Sequence, residues 1–305
     1  MTVPYPRHSP AFLRIRRAVR PFVTEHPTVI GLSGGADSLA LVAAALVEGA
    51  QVHAVVVDHQ LQEGSDVVAQ RAADVASRWG AHATVIPVVV SGDGGMEAAA
   101  RQARYAALTS FGHFVWTAHT MDDQAETYLL GALRGNPAGI AQESCISGVR
   151  IVRPLLGVRR ADTVQACTEL GVDAWQDPHN DCSEYRRVRI RHEALPLLSD
   201  VLGGDSIPAI AQAATRAQQA NETITSLADP FAPVSQLRSM PVAVRHESIA
   251  GLIRSAAGKV SQAALQQVDD LVMCWKGQGP VAIGGSAGVR TWIRRSGDQL
   301  VVEEQ

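Results

Sequence analysis

Apolar residues along this chain fall into two regimes. From Thr28 to about Ala118, short β-branched runs alternate with longer alanine-rich windows. The runs TVIGL (28–32), VHAVVVDH (52–59), HATVIPVV (82–89) and HFVWTAH (113–119) read as strands, and the windows opening near Asp37, Ser65 and Met96 read as helices. Apolar strands separated by helices predict a parallel sheet covered on both faces. From about Pro154 helical stretches dominate, at 159–171, 183–202, 207–227 and 241–257. The last stretch, 279–304, alternates around Gly-rich and Gly-Asp turns and predicts a β-hairpin unit. The expected class is therefore α/β, a parallel doubly wound sheet over 1–205, followed over 206–305 by a mainly helical domain ending in short strands.

Ligands of such sheets bind at the carboxyl ends of the strands. Three predicted strand ends carry polar residues that a sheet alone does not require: Ser33 to Ser38, Asp58 with His59, and His119 to Glu126. These predict one shared site at the top of the sheet. Gly92 to Gly95 reads as a mobile loop.

Composition narrows the class. The chain has 305 residues, enough for one α/β core and a smaller appendage, and a formal charge of −3, so a nucleic-acid partner must be argued from local clusters. Cys145, Cys167, Cys182 and Cys274 form no C-x-x-C pair, and buried free thiols are expected. The first twenty residues carry five arginines and no apolar segment, which predicts a cytoplasmic protein with no membrane span.

The chemistry concentrates in VIGLSGGADSLAL, 29–41. No lysine precedes Ser38, so it is not a Walker loop, and the glycine spacing is not that of a dinucleotide fingerprint. What remains is S-G-G-x-D-S between strand and helix, a nest of backbone N–H groups for an anion. Gly34 and Gly35 permit close approach, and Ser33 and Ser38 offer hydroxyls. A carboxylate beside phosphates repels them unless a cation intervenes, so Asp37 is expected to associate with Mg²⁺.

SGGADS resembles the loop of the N-type ATP pyrophosphatases, the PP-loop family, whose sheet is of the adenine nucleotide α-hydrolase type. The resemblance implies ATP as cofactor, with Ser33, Gly34, Gly35, Ala36, Asp37, Ser38 and Asp58 around it. VDHQLQEGSD (57–66), EAAARQARYAAL (97–108), TAHTMDDQAETYLLGALRG (117–135), RPLL (153–156) and DPHNDCSEYRRVRIRHEALPLL (177–198) resemble, in the same order, the tRNA(Ile)-lysidine synthase branch of that family. Such enzymes adenylate the wobble cytidine of a tRNA(Ile) with a CAU anticodon and then join free lysine to its C2. A tRNA thiolase or a small-molecule adenylating synthetase of the same family is the alternative; many thiolases use C-x-x-C pairs, which this chain lacks.

Within AHTMDDQAET, Asp122, Asp123 and Glu126 share one face of a helix beginning near Met121, and Thr120 with Asp123 has the spacing of a capping box. By resemblance, His119 and Asp123 belong to the catalytic centre with Asp37, and Asp122 and Glu126 are candidates for holding lysine or metal. Asp58 reads equally well as a strand-end cap. In YRRVRIRH the resemblance implies that Arg186 reaches the adenylate or the cytidine phosphate; the family has asparagine where this chain has Arg187. Arg189, Arg191, Arg101 and Arg104, with RIRRAVR at 14–20, are candidate tRNA backbone contacts that solvated helix faces explain as well. The resemblance does not fix the oligomeric state.

Overall fold

The computed structural model describes residues 3–60, 64–90, 96–176, 186–285 and 290–304; the expected loop at Gly92 to Gly95 and residue Cys182 lie outside them. The chain divides into two compact units, Met1–Ala217 and Gln218–Gln305, within one long helix, α9 (Ile207–Leu227).

The first unit is built on a six-stranded sheet in the order β3-β2-β1-β4-β6-β5. The strands are β1 (Thr28–Gly31), β2 (Val52–Asp58), β3 (His82–Pro87), β4 (Phe114–Trp116), β5 (Glu143–Ile146) and β6 (Val149–Val152). All neighbours are parallel except β5, which runs antiparallel to β6. The first four strands and the helices α2 (Ala36–Val47), α3 (Ser65–Trp79) and α4 (Met96–Thr109) stand where the apolar pattern puts them. The sequence reading missed β5 and β6. They are four-residue strands joined by a turn with positive φ at Ser147 (51°) and Gly148 (78°), a signal carried by one Ser-Gly pair.

The order 3-2-1-4 reverses direction between β1 and β4, which makes the crevice above that pair the ligand-binding place of an open α/β sheet. Below it lies a core in which Ile30, Leu39, Leu41, Trp116 and Leu155 are fully buried or nearly so. α2 is apolar almost throughout, and Leu39 to Ala45 are all buried, so this helix is a central layer. α1 (Pro10–Val19) packs Phe12 and Ile15 into the same core. Of the arginines at 14–20, Arg14 pairs with Asp162, and Arg16 and Arg20 pair with Glu48, so these three serve the fold.

The remaining helices of this unit are α5 (Met121–Ala132), α6 (Arg160–Glu169), α7 (Arg186–Arg189) and α8 (Leu195–Leu202), the last two joined by a π-helical turn, Ile190–Ala194.

In the second unit α10 (Val234–Ser239), α11 (Val242–Ser255) and α12 (Gln262–Met273) bury Leu237, Ile249, Ile253, Val268 and Leu271 against the antiparallel strands β7 (Val281–Gly284), β8 (Thr291–Ser296) and β9 (Gln299–Glu304). The helical region closing in short hairpin strands is as the sequence predicts. Two expected buried thiols are not: Cys145 and Cys274 are exposed, on an edge strand and at the end of α12, and among the described cysteines only Cys167 is buried. No helix among the described residues is long and apolar enough to cross a membrane.

Candidate active site

The turn after β1 is braced from inside. Ser38 Oγ accepts the Ser33 N–H at 3.1 Å and donates to the Gly35 carbonyl at 2.9 Å, and the Trp175 N–H donates to the Gly34 carbonyl at 3.0 Å. Gly34 has φ +83°, which favours glycine, and a β-carbon there would sit 3.2 Å from the Ala72 methyl, a tight fit. Gly35 caps α2 without a side-chain acceptor, which leaves the first N–H groups of that helix, at Ala36, Asp37 and Ser38, to an external anion.

Asp37 stands in this first turn. Its Oδ1 accepts the Thr163 hydroxyl and its Oδ2 lies 3.6 Å from Arg160 Nε. Burial, with help from the nearby charges of Asp123 and Asp122, outweighs Thr163 and Arg160 and raises its pKa to about 6.

Above β4 the chain presents His119, then opens α5 with the expected capping box. The Thr120 side chain accepts the Asp123 N–H, and Asp123 Oδ2 accepts the Thr120 N–H at 2.8 Å. Capping uses one oxygen of Asp123; Oδ1 accepts from Arg160 Nη2 at 2.9 Å. Burial pushes the Asp123 carboxyl up, but Arg160 and the Thr120 hydrogen bonds prevail and hold it below the ordinary range. His119 Nδ1 lies 3.0 Å from the Thr117 hydroxyl. Burial, reinforced by Arg104, Arg153 and Arg101 against the pull of Asp123, lowers its pKa to about 3, so the imidazole is neutral near pH 7.

The two weaker acidic candidates are both engaged. Asp122 Oδ2 accepts the Arg160 backbone N–H at 2.8 Å and pairs with Arg159 Nε at 3.2 Å. Glu126 is fully buried and meets three guanidinium groups: Arg160 at 2.9 Å, Arg191 at 2.8 Å and Arg187 at 3.3 Å. Arg191 is thereby held within the first unit, and Arg189 forms an exposed pair with Glu193, four residues on in the π-helical turn. Arg186 is exposed at the start of α7, with no partner among the described residues, and Arg187 also donates to Thr127 Oγ1 at 2.6 Å.

Arg101 and Arg104 on α4 both lie over the ring of Tyr105, at 4.9 and 5.7 Å from its centroid. Arg104 is half-buried, its Nε has no partner among the described residues, and burial together with Arg101 and Arg187 lowers its pKa. It is a cation short of counter-charge within reach of His119 and Asp123. Asp58 at the end of β2 is buried, and its Oδ1 accepts the Gln60 N–H at 3.0 Å, the strand-end cap that its position allows.

Two residues that sequence reasoning missed join these groups. Arg159 and Arg160 open α6, where the helix dipole disfavours cations; a pair of arginines at a helix head was the available signal. A cavity of about 460 Å³ lies beside them, lined by Asp122, Glu126, Arg160, Val164, Arg191 and Leu195 among others.

Residues 10–198 match the model of an ATP-binding PP-loop domain. The tRNA(Ile)-lysidine synthase of Corynebacterium glutamicum is 47 % identical over 98 % of this chain and 97 % of its own. The chain belongs to the tRNA(Ile)-lysidine synthase family. The enzyme of the same name from Rhodococcus erythropolis is 45 % identical over 91 % of this chain and 90 % of its own. Among solved structures, a U34-tRNA thiolase from Methanococcus maripaludis superposes with a TM-score of 0.53 at 15 % identity, over 70 % of this chain and 84 % of that one, a likeness of fold. ATP use follows from membership of the PP-loop family.

Proposed function

We propose that this protein is a ligase that joins free lysine to C2 of the wobble cytidine of a tRNA(Ile) with a CAU anticodon, consuming ATP. The observation that carries the reading is near-full-length identity of 47 % to a tRNA(Ile)-lysidine synthase, on a chain in which Asp37 and Asp123 both meet Arg160. In the first step the C2 carbonyl oxygen of cytidine attacks the α-phosphorus of ATP and releases pyrophosphate. In the second the lysine ε-amine attacks C2, and AMP departs with the oxygen.

The phosphate turn, Ser33 to Ser38, holds the β- and γ-phosphates through backbone N–H groups at the head of α2. Among the described residues no three acids, histidines or cysteines converge into a metal cage. A single half-buried carboxylate beside phosphate oxygens suits Mg²⁺, which keeps most of its shell from water and phosphate, so Asp37 would hold it. That ion would supply charge neutralisation at the phosphates. Arg104, short of counter-charge, meets the negative charge that grows as pyrophosphate leaves. Arg186, exposed and unpaired among the described residues, reaches the cytidine phosphate.

The amine must lose a proton before attack, since a lysine ammonium has a reference pKa of about 10.4. Asp123, ionised and fixed by Arg160, accepts hydrogen bonds from that ammonium and orients it; the proton passes to water, and the neutral His119 adds no positive charge beside the incoming cation. The cavity beside Asp122 and Glu126 has apolar walls for the methylene stem. A cytoplasmic location accompanies this chemistry.

Pyrophosphate release from ATP, with lysine and Mg²⁺, tests the reading when tRNA(Ile) bearing the CAU anticodon is compared with the same tRNA carrying U for that C. Release with the cytidine alone, with labelled lysine on the RNA, is expected. Release indifferent to the tRNA would replace the ligase with a small-molecule synthetase.

A further inference from the structure

One guanidinium touches the acids of both halves of the site. Arg160 Nη2 donates to Asp123 Oδ1 at 2.9 Å, Nη1 donates to Glu126 Oε1 at 2.9 Å, and Nε lies 3.6 Å from Asp37 Oδ2. Its backbone N–H is tied to Asp122. Asp37 begins α2 and Asp123 begins α5, so the two carboxylates belong to different elements on either side of the crevice, and like charge drives them apart. The element between them is α6, which puts a cation in its first turn against its own dipole.

Geometry rather than net charge selects this residue. A guanidinium is a planar fork with five donors, and three of its nitrogens here face three different carboxylates. An ammonium at the same place could neutralise charge but could not span them. The fork itself is aimed by the cap that Asp122 provides at the head of α6, and Thr163, one turn further on, completes the hold on Asp37.

We propose that Arg160 is a positioning residue that sets the separation of Asp37, on the phosphate side, and Asp123, on the amine side, and so serves both steps without touching substrate. The proposal rests on the roles given to Asp37 and Asp123 above. It extends them by assigning the alignment of both to a single side chain of α6.

Arg160→Lys and Arg160→Ala test it, with three readouts: thermal melting, calorimetric binding of a non-hydrolysable ATP analogue with Mg²⁺, and kcat with KM for pyrophosphate release. Arg160→Lys is expected to fold and to bind the analogue within about 3-fold of wild type, yet to lose about 100-fold in kcat, since misplacement by an ångström costs that much. Arg160→Ala, where it folds, is expected to regain turnover with added guanidinium ion and not with methylammonium. Wild-type kcat in Arg160→Lys overturns the proposal. So does a loss of kcat matched by equal losses of analogue binding and melting temperature, which marks a residue that merely supports the fold. If wild type releases pyrophosphate without regard to tRNA, the proposed ligase fails, while the ratio of variant to wild type under the acceptor that works still decides Arg160.

Discussion

Asp122 caps a helix to which it does not belong: its Oδ2 accepts the backbone N–H of Arg160 at 2.8 Å, and the same carboxylate pairs with Arg159 at 3.2 Å. Residue 159, at the N-cap of α6, offers no side-chain acceptor, so an acid at the head of α5 supplies one. The heads of two helices are thereby joined beside Asp37, and an acid that sequence alone suggests for lysine or metal has a structural occupation.

Replacing Asp122 should separate these roles. Asp122→Asn keeps an acceptor for the Arg160 N–H and should cost less stability than Asp122→Ala, which should lose about 1–3 kcal/mol in urea denaturation. An Asp122→Asn protein of unchanged stability with a raised KM for lysine alone would return the residue to substrate binding.

Asp37 predicts a pH dependence with a defined sign. Its folded pKa of about 6 exceeds the free value of 3.8. The native state therefore holds this proton more tightly than the unfolded chain. Stability should rise as pH falls through 6 and level off below 3.8. Unfolding free energy of wild type minus that of Asp37→Asn should increase by about 1 kcal/mol between pH 7.5 and 5, with partial exposure of the side chain reducing the figure. A flat difference would mean that the carboxylate is not destabilised by burial. The same variant should lose about 100-fold or more in pyrophosphate release.

The parts of this molecule legible in sequence are those that depend on neighbours along the chain. The S-G-G-x-D-S turn, the capping box of Thr120 and Asp123 and the apolar strand runs each carry their geometry within a few residues. β5 and β6 escaped because four-residue strands leave little alternation to read. Arg160 escaped because α6 meets Asp37 and Asp123 only through the fold, and two arginines in a row read as surface charge. The basic run at 186–191 showed two faces but not their partners. The structure gives Glu126 to Arg187 and Arg191, so Arg187 belongs to the cluster around a buried acid.

Glu126 should behave as the anchor of that cluster. Its carboxylate is completely buried and faces Arg160, Arg187 and Arg191. Glu126→Ala leaves three cations without their shared partner and should destabilise the first unit by about 3–5 kcal/mol. Thermal melting with and without the ATP analogue would measure this. A variant that melts normally but no longer binds lysine would contradict it.

Arg104 offers the opposite case, a cation whose removal should relieve the empty protein. Among the described residues its Nε has no hydrogen-bond partner, and Arg101 and Arg187 stand near it against Tyr105 and Asp123. A half-buried cation among other cations is a candidate binder for an incoming anion. Arg104→Met should therefore melt at or above the wild-type temperature while weakening pyrophosphate and ATP-analogue binding about 10-fold or more, because a charge-assisted hydrogen bond to phosphate is lost. The sequence also allows this arginine to contact the tRNA backbone. In that event ATP-analogue binding would be unchanged, and the salt dependence of tRNA affinity would fall by about one unit of slope. Calorimetry with pyrophosphate and a salt titration of tRNA binding on the one variant distinguish a phosphate of ATP from a phosphate of RNA.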